Sequence, residues 1–450
     1  MTAHGVMTSR STPAVGLLVA VLLGTAPAHS SQRTGWMVPP QEENDTSWGI
    51  IDPHSIFEWN AMREEKTLTG GWGGERSRLR EAGIGLAGGY VTEVAGNPVG
   101  GTTHTARYTH NISLGVFLDL GRLIGVTDTY ALVSASNRAG NSLSHDIPNF
   151  FAVQEIFGGQ TTRLVHLALE KIAAGGRLDV VGGRIDALDD FATSPLYCYA
   201  QNLGFCGNPL SIPVNASVSS YPNTAWGLRA RWAFTDNVYS MTGVYDAFPP
   251  FRANRYHGVD FSIRDDSGVA VLQEFGWQPL IARRLGLPGT VKAGGVYTSE
   301  PKVKFESGNR RSGTYDVYAT IQQKLWEEPG ADAYQGLSGF LAVTYAPADL
   351  NTLEHFVDAG LLYTGLVPGC DRDVLGLFGL YGHFSPDLRR SQVAHHEPGM
   401  EQEAVLELNY QYNVTSWLYL QPDVQGVLQP SGTGGVPDAL VLAMQVGVTF

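Results

Sequence analysis

Arg229 and Arg231 stand two residues apart, a spacing that puts both guanidinium groups on one face of an extended chain. The same spacing recurs in Glu407, Asn409 and Gln411, and again in Tyr419, Gln421, Asp423 and Gln425. Asp316 and Lys324 share a face in a third stretch. These are charges, amides and a phenol in rows. Such a row hydrogen-bonds polar solutes and sorts ions by charge, but it does not make or break bonds. Trp417 and Tyr419 add ring faces for stacking. Sequence patterns for bond chemistry are missing: there is no GxSxG, no Walker-type loop and no CxxC pair. His395, His396 and Glu397, with Asp387 nearby, lack HExxH-type spacing and sit between Pro386 and Pro398. That stretch reads as a solvated loop, so neither a metal nor a cofactor is expected. Cys198 and Cys206 flank YAQNLGF in a loop-like segment and are a candidate disulfide, which leaves Cys370 without a partner.

The elements that carry these rows read as strands. From Leu440, the even positions Leu440, Leu442, Met444, Val446, Val448 and Phe450 are apolar, while Val441, Ala443, Gln445, Gly447 and Thr449 between them are small, polar or short. Tyr108, Ile112, Leu114, Val116 and Leu118 alternate with Thr109, Asn111, Ser113 and Gly115. Trp226, Leu228, Ala230, Trp232 and Phe234 alternate with Arg229 and Arg231. Asp236-Asn237 then turns the chain into a return strand whose apolar face is expected to be Tyr239, Met241 and Tyr245, opposite Ser240, Thr242 and Asp246. Tyr315, Val317, Ala319, Ile321 and Leu325 oppose Asp316, Thr320, Gln322 and Lys324, and Leu406, Leu408, Tyr410 and Tyr412 oppose Glu407, Asn409 and Gln411. Strands that are wholly apolar on one face need lipid or a core against that face. In lipid the backbone must be fully paired, which only a closed sheet achieves. Trp226, Phe234, Tyr412, Trp417 and Phe450 cap the apolar faces, as interfacial girdles do. Tight turns at Asp236-Asn237 and Asn413 to Ser416 contrast with long loops around 187–222 and 246–268.

The N-terminus predicts export. Arg10 precedes the apolar run AVGLLVAVLLG, and Ala26-Pro27-Ala28 has the small-x-small form of a cleavage site. Residues 1–28 are therefore expected to be a signal peptide, 29–82 a pre-barrel segment with a short helix over Glu75 to Glu81, and 83–450 the barrel. The formal charge is −13, with 30 Lys and Arg against 43 Asp and Glu, which does not suit a nucleic-acid binder. Mean hydropathy is −0.08, as expected when apolar residues are confined to alternate positions.

Three stretches resemble one family, the carbohydrate-selective porins or OprB family. They are LTGGWGGERSRLREAGI from Leu68 to Ile84, GGRIDALDDFATSPLYCYAQNLGFCGNP from Gly182 to Pro209, and VLELNYQYNVTSWLYLQPDVQGVLQPSG from Val405, continuing as PDALVLAMQVGVTF to Phe450. They lie near the start, middle and end, so the resemblance spans nearly the whole mature chain. The apolar run Val180 to Gly183 departs from the polar residues frequent there in the family. The resemblance implies an all-β, up-and-down antiparallel transmembrane barrel of about sixteen strands in the outer membrane of a Gram-negative bacterium. It implies passive, sugar-preferring diffusion of mono- or oligosaccharides, with outer-membrane lipid around the wall, the barrel-assembly machinery acting through Phe450, and assembly as a homotrimer. Expected pore-lining residues are Arg229, Arg231, Lys324, Glu407, Asn409, Gln411, Tyr419, Gln421 and Asp423. Alternatives that the residues leave open are a general or anion-selective porin, a barrel enzyme and a soluble all-β binding protein.

Overall fold

The computed structural model describes residues 66–158, 160–206, 208–247, 256–263, 268–279, 287–330 and 335–450. The expected signal peptide lies outside them. A short helix α1 (Glu75–Ala82) precedes the sheet; Gly83, at φ 99°, ends it by donating its N–H to the carbonyls of Arg80 and Leu79. Sixteen strands follow: β1 (Ile84–Val99), β2 (Ala106–Asp119), β3 (Thr129–Gly140), β4 (Thr161–Ala173), β5 (Leu178–Ile185), β6 (Ala225–Thr235), β7 (Val238–Ala247), β8 (Gly268–Trp277), β9 (Gly289–Val303), β10 (Arg310–Glu327), β11 (Gly336–Tyr345), β12 (Leu353–Thr364), β13 (Val374–Phe384), β14 (Gln402–Asn413), β15 (Leu418–Leu428) and β16 (Ala439–Thr449). Each pairs antiparallel with its sequence neighbours, and β1 pairs with β16 from Gly89↔Thr449 to Val99↔Leu440, which closes the barrel. Closure leaves no strand edge unpaired in lipid.

Side-chain alternation decides what each face meets. Leu114, Leu228, Phe275, Leu341, Leu377, Leu406 and Leu442 are exposed on the outer wall, where hydrocarbon rather than water surrounds them. Exposed aromatics form two belts. Tyr108, Tyr297, Tyr315, Tyr345 and Tyr381 lie toward one rim, and Phe234, Trp277, Trp326 and Tyr412 toward the other. The second rim carries the tight connections, such as residues 236–237 and 414–417, together with α1 and the C-terminus. At the first rim the chain leaves β3, β5, β7 and β13 for its long connections, the last of which holds a helix over Pro386–Ala394.

One strand faces the opposite way from its sequence expectation. In β7, Tyr239, Met241 and Tyr245 are buried inside the barrel, while Val244 is exposed outside. The polar residues of β7 consequently look outward. Ser240 and Thr242 are tolerated there because Gln273 of β8 bonds both: Thr242 donates to Gln273 Oε1 at 2.5 Å and Gln273 donates to Ser240 Oγ at 2.8 Å. The aromatics turn inward to pack against the inserted chain described next.

Candidate functional site

Among the described residues, two connections fold into the lumen: residues 141–158 between β3 and β4, and residues 186–206 and 208–224 between β5 and β6. The second visits three sectors of the inner wall. Near β6 to β10, Asp190 takes a bidentate pair from Arg229 (2.8 and 2.9 Å), Ala192 N donates to Glu274 (2.8 Å), Lys292 Nζ donates to Thr193 O (2.7 Å), and Ser194 donates to Gln322 (2.7 Å). At β14 and β15, Glu407 accepts the N–H groups of Gln201 and Asn202. At β10 to β12, Asn215 donates to Asp316 (3.0 Å) and to Leu353 O (2.8 Å). The first segment is held in the same manner: Glu403 accepts from Phe150 N and Phe151 N. Apolar packing adds to these bonds. Phe151, Tyr197 and Phe205 join Phe340, Phe356 and Phe378 of the wall, while Phe191, Ile212 and Val218 join Tyr239, Tyr245 and Leu272.

These contacts involve several of the expected pore-lining residues. Arg229, Glu407, Asn409, Gln411, Tyr419, Gln421, Asp423 and Lys324 all face inward and are buried. Four of them, Arg229, Glu407, Asn409 and Gln421, grip the inserted chain. Arg229 bonds Asp179 (2.7 Å) as well as Asp190, and Arg231 stands 3.6 Å from Asp179 with partial exposure. Asn409 and Gln421 both donate to Tyr199 O, at 2.6 and 2.8 Å. Gln411 donates to Asn413 Oδ1 (3.2 Å). Gln425 donates to Val153 O (3.0 Å) and to Asp423 (2.9 Å). Tyr419 is not available for stacking on a solute. Its ring lies over cross-strand Gly447, where an added Cβ would fall 2.0 Å from Cε1, and its hydroxyl donates to Gln445. Trp417 lies in the tight connection between β14 and β15, its N–H on Thr415 Oγ1, away from the inserted loops. Cys198 and Cys206 form a disulfide that closes the segment gripped by β14 and β15, and Cys370 is free.

Another polar constellation lies on the opposite wall. Arg138 of β3 and Arg163 of β4 face inward from adjacent strands, within electrostatic range of each other. Arg138 Nη1 donates to Glu155 O (3.4 Å), and its guanidinium stands 4.8 Å from the Tyr221 ring. Its Nε carries no hydrogen bond. Gly158 leaves room for this arginine; a Cβ there would fall 2.4 Å from Arg138 Cδ. Glu155 lies on the inserted 141–158 connection. Burial pushes its carboxyl up to about 7, against the pull of the Arg138 charge. Arg138, the Glu155 carboxyl and the Tyr221 ring supply donors, an acceptor and an aromatic face, with Arg163 within electrostatic range of Arg138. Sequence reading missed Arg138 and Arg163. Arg138 was within reach, since Ser134, Ser136 and Arg138 alternate on one face of β3.

Comparison with known proteins agrees with this architecture. The family described as carbohydrate-selective porin, OprB family, matches residues 103–450. Porin B of Pseudomonas aeruginosa is 30% identical over 420 residues, covering 86% of this chain and 91% of its own. The putative porin QuiX of Acinetobacter baylyi is 26% identical over 418 residues, covering 86% and 94%. The high-pH structure of Pseudomonas putida OprB superposes with a TM-score of 0.81 at 28% identity, covering 87% of this chain and all of that one.

Proposed function

Because the chain belongs to the OprB family of carbohydrate-selective porins, we propose that its sugars pass beside Arg138 and Arg163, opposite Glu155. The protein is a sugar-preferring porin of the Gram-negative outer membrane. The family and the barrel point to a channel rather than an enzyme, and the protein does no catalysis of its own. The observation that supports the route is the distribution of wall contacts. Arg229, Glu274, Lys292, Glu407, Asn409 and Gln421 hold the inserted segments, whereas Arg138 of β3 stands beside a loop carboxyl and a tyrosine ring, with Arg163 of β4 within electrostatic range of it. A neutral, hydroxylated ring fits such a group. Its hydroxyls meet both donors and an acceptor, and its apolar face meets the ring. Binding of this kind is weak enough for release, as conduction requires.

The test is liposome swelling with Arg138→Ala and Arg163→Ala. Each is expected to lower uptake of a neutral monosaccharide more than uptake of a polyol of similar size. Equal loss for both solutes would remove the sugar contact from these residues.

A further inference from the structure

Resting on that reading, we propose that Glu407 and its neighbours on β14 and β15 form a positioning cradle that sets the size limit of the passage from across the lumen. The cradle grips the disulfide-closed segment at consecutive residues. The Glu407 carboxylate accepts Gln201 N at 2.7 Å and Asn202 N at 3.0 Å. Asn409 and Gln421 converge on Tyr199 O, and the Gln201 side chain donates to Gln421 O at 2.8 Å. Asn202 Nδ2 donates to Gln425 Oε1 at 3.1 Å and to Phe151 O at 2.9 Å. All four wall residues hydrogen-bond the inserted segment, so they act through it.

A continuous relay leads from the cradle to the passage. Glu407 holds Gln201 N, the Gln201 carbonyl accepts Glu155 N at 2.9 Å, and the Glu155 carbonyl accepts from Arg138 Nη1 at 3.4 Å. The relay crosses from β14 to β3. Where Glu407 places Gln201 therefore decides how far Glu155 stands from the arginines. A carboxylate is needed because two adjacent N–H groups require two acceptor oxygens, and charge strengthens both bonds. Glutamine at this position offers one acceptor and a donor, which leaves one buried N–H unpaired.

The experiment measures permeation of graded neutral solutes, both sugars and polyols, through wild type, Glu407→Gln and Glu407→Asp. The disaccharide-to-monosaccharide rate ratio is expected to rise roughly tenfold in Glu407→Gln, the factor that losing one charge-assisted bond puts on the held-to-released equilibrium. The expected companions are an unchanged barrel melting temperature and partial recovery in Glu407→Asp. Should Glu407→Gln fail to fold, Asn409→Ala with Gln421→Ala removes the Tyr199 anchor and is read in the same way. A size limit that stays fixed in a folded variant overturns the cradle, as does a uniform loss for all solutes together with a lower melting temperature. Because polyols report size alone, the absence of sugar preference in wild type would sink the sugar reading while leaving the cradle to be judged by its own shift.

Discussion

Arg76 Nη2 lies 2.7 Å from the backbone oxygen of Phe450, joining the pre-barrel helix to the last residue of the chain. The same guanidinium donates to Thr67 Oγ1, Gly70 O and Leu86 O, and stands over the Trp72 ring. Leu68 N donates to Thr449 O, and Phe450 N to Gly88 O. One buried cation thus fastens the seam where β1 meets β16. Arg76→Ala leaves these carbonyls unpaired and is expected to cost about 2–3 kcal/mol, since hydrogen bonds to a charged group contribute on that scale. Thermal unfolding in detergent, with amide exchange of β1 and β16, checks this. Preferential opening of the seam is expected; uniform loosening of all strands would argue against it.

The tyrosines that lie flat inside the wall depend on glycine beneath them. A Cβ at Gly447 would fall 2.0 Å from Tyr419 Cε1, and one at Gly276 2.0 Å from Tyr239 Cε1. Gly447→Ala and Gly276→Ala are each expected to destabilise by about 1–3 kcal/mol through overpacking. Pairing Gly447→Ala with Tyr419→Leu should recover part of the loss. Melting of the three Gly447 and Tyr419 variants reads the coupling directly.

Glu155 gives the passage a pH dependence. Its carboxyl is raised to about 7, so the fold favours the neutral form. A raised acid contributes stability below its ordinary range, near 4.5, and that contribution is lost as pH rises through 7. Arg138, Gln445, Glu93 and Glu407 face it from β3, β16, β1 and β14. Above pH 7 the passage gains a negative charge, so the permeability of small anions relative to cations is expected to fall between pH 6 and 8 (a window of about one unit either side of that value). Reversal potentials in wild type and Glu155→Gln measure this, and the step should vanish in the variant.

Reducing the Cys198–Cys206 bond opens a cross-link with a sequence separation of 8. Chain-entropy reasoning puts its loss at about 2–3 kcal/mol for a loop this short. The wall does not depend on this link, so faster amide exchange is expected within 198–206 and not in the strands. Exchange before and after a mild reductant separates the two.

The barrel was legible because lipid enforces one apolar face per strand, and the outward rows Leu406 to Tyr412 and Leu440 to Met444 fall where alternation puts them. Alternation also placed Arg229, Glu407 and Gln421 inside. It could not say what they meet there, because alternation reports a face and not a partner 206 residues away, as with Glu407 and Gln201. The inward turn of Tyr239 and Met241 was hidden for the same reason: an inserted loop makes part of the interior apolar, so β7 carries grease on the side where water was expected.

The most direct measurement is ion conductance of the wild-type protein in a planar bilayer while a neutral monosaccharide is titrated from either side. A sugar that binds beside Arg138 and Arg163 should reduce the current in a saturable manner, and the block should weaken in Arg138→Ala. A current that falls only in proportion to solution viscosity, equally in both proteins, would contradict the account.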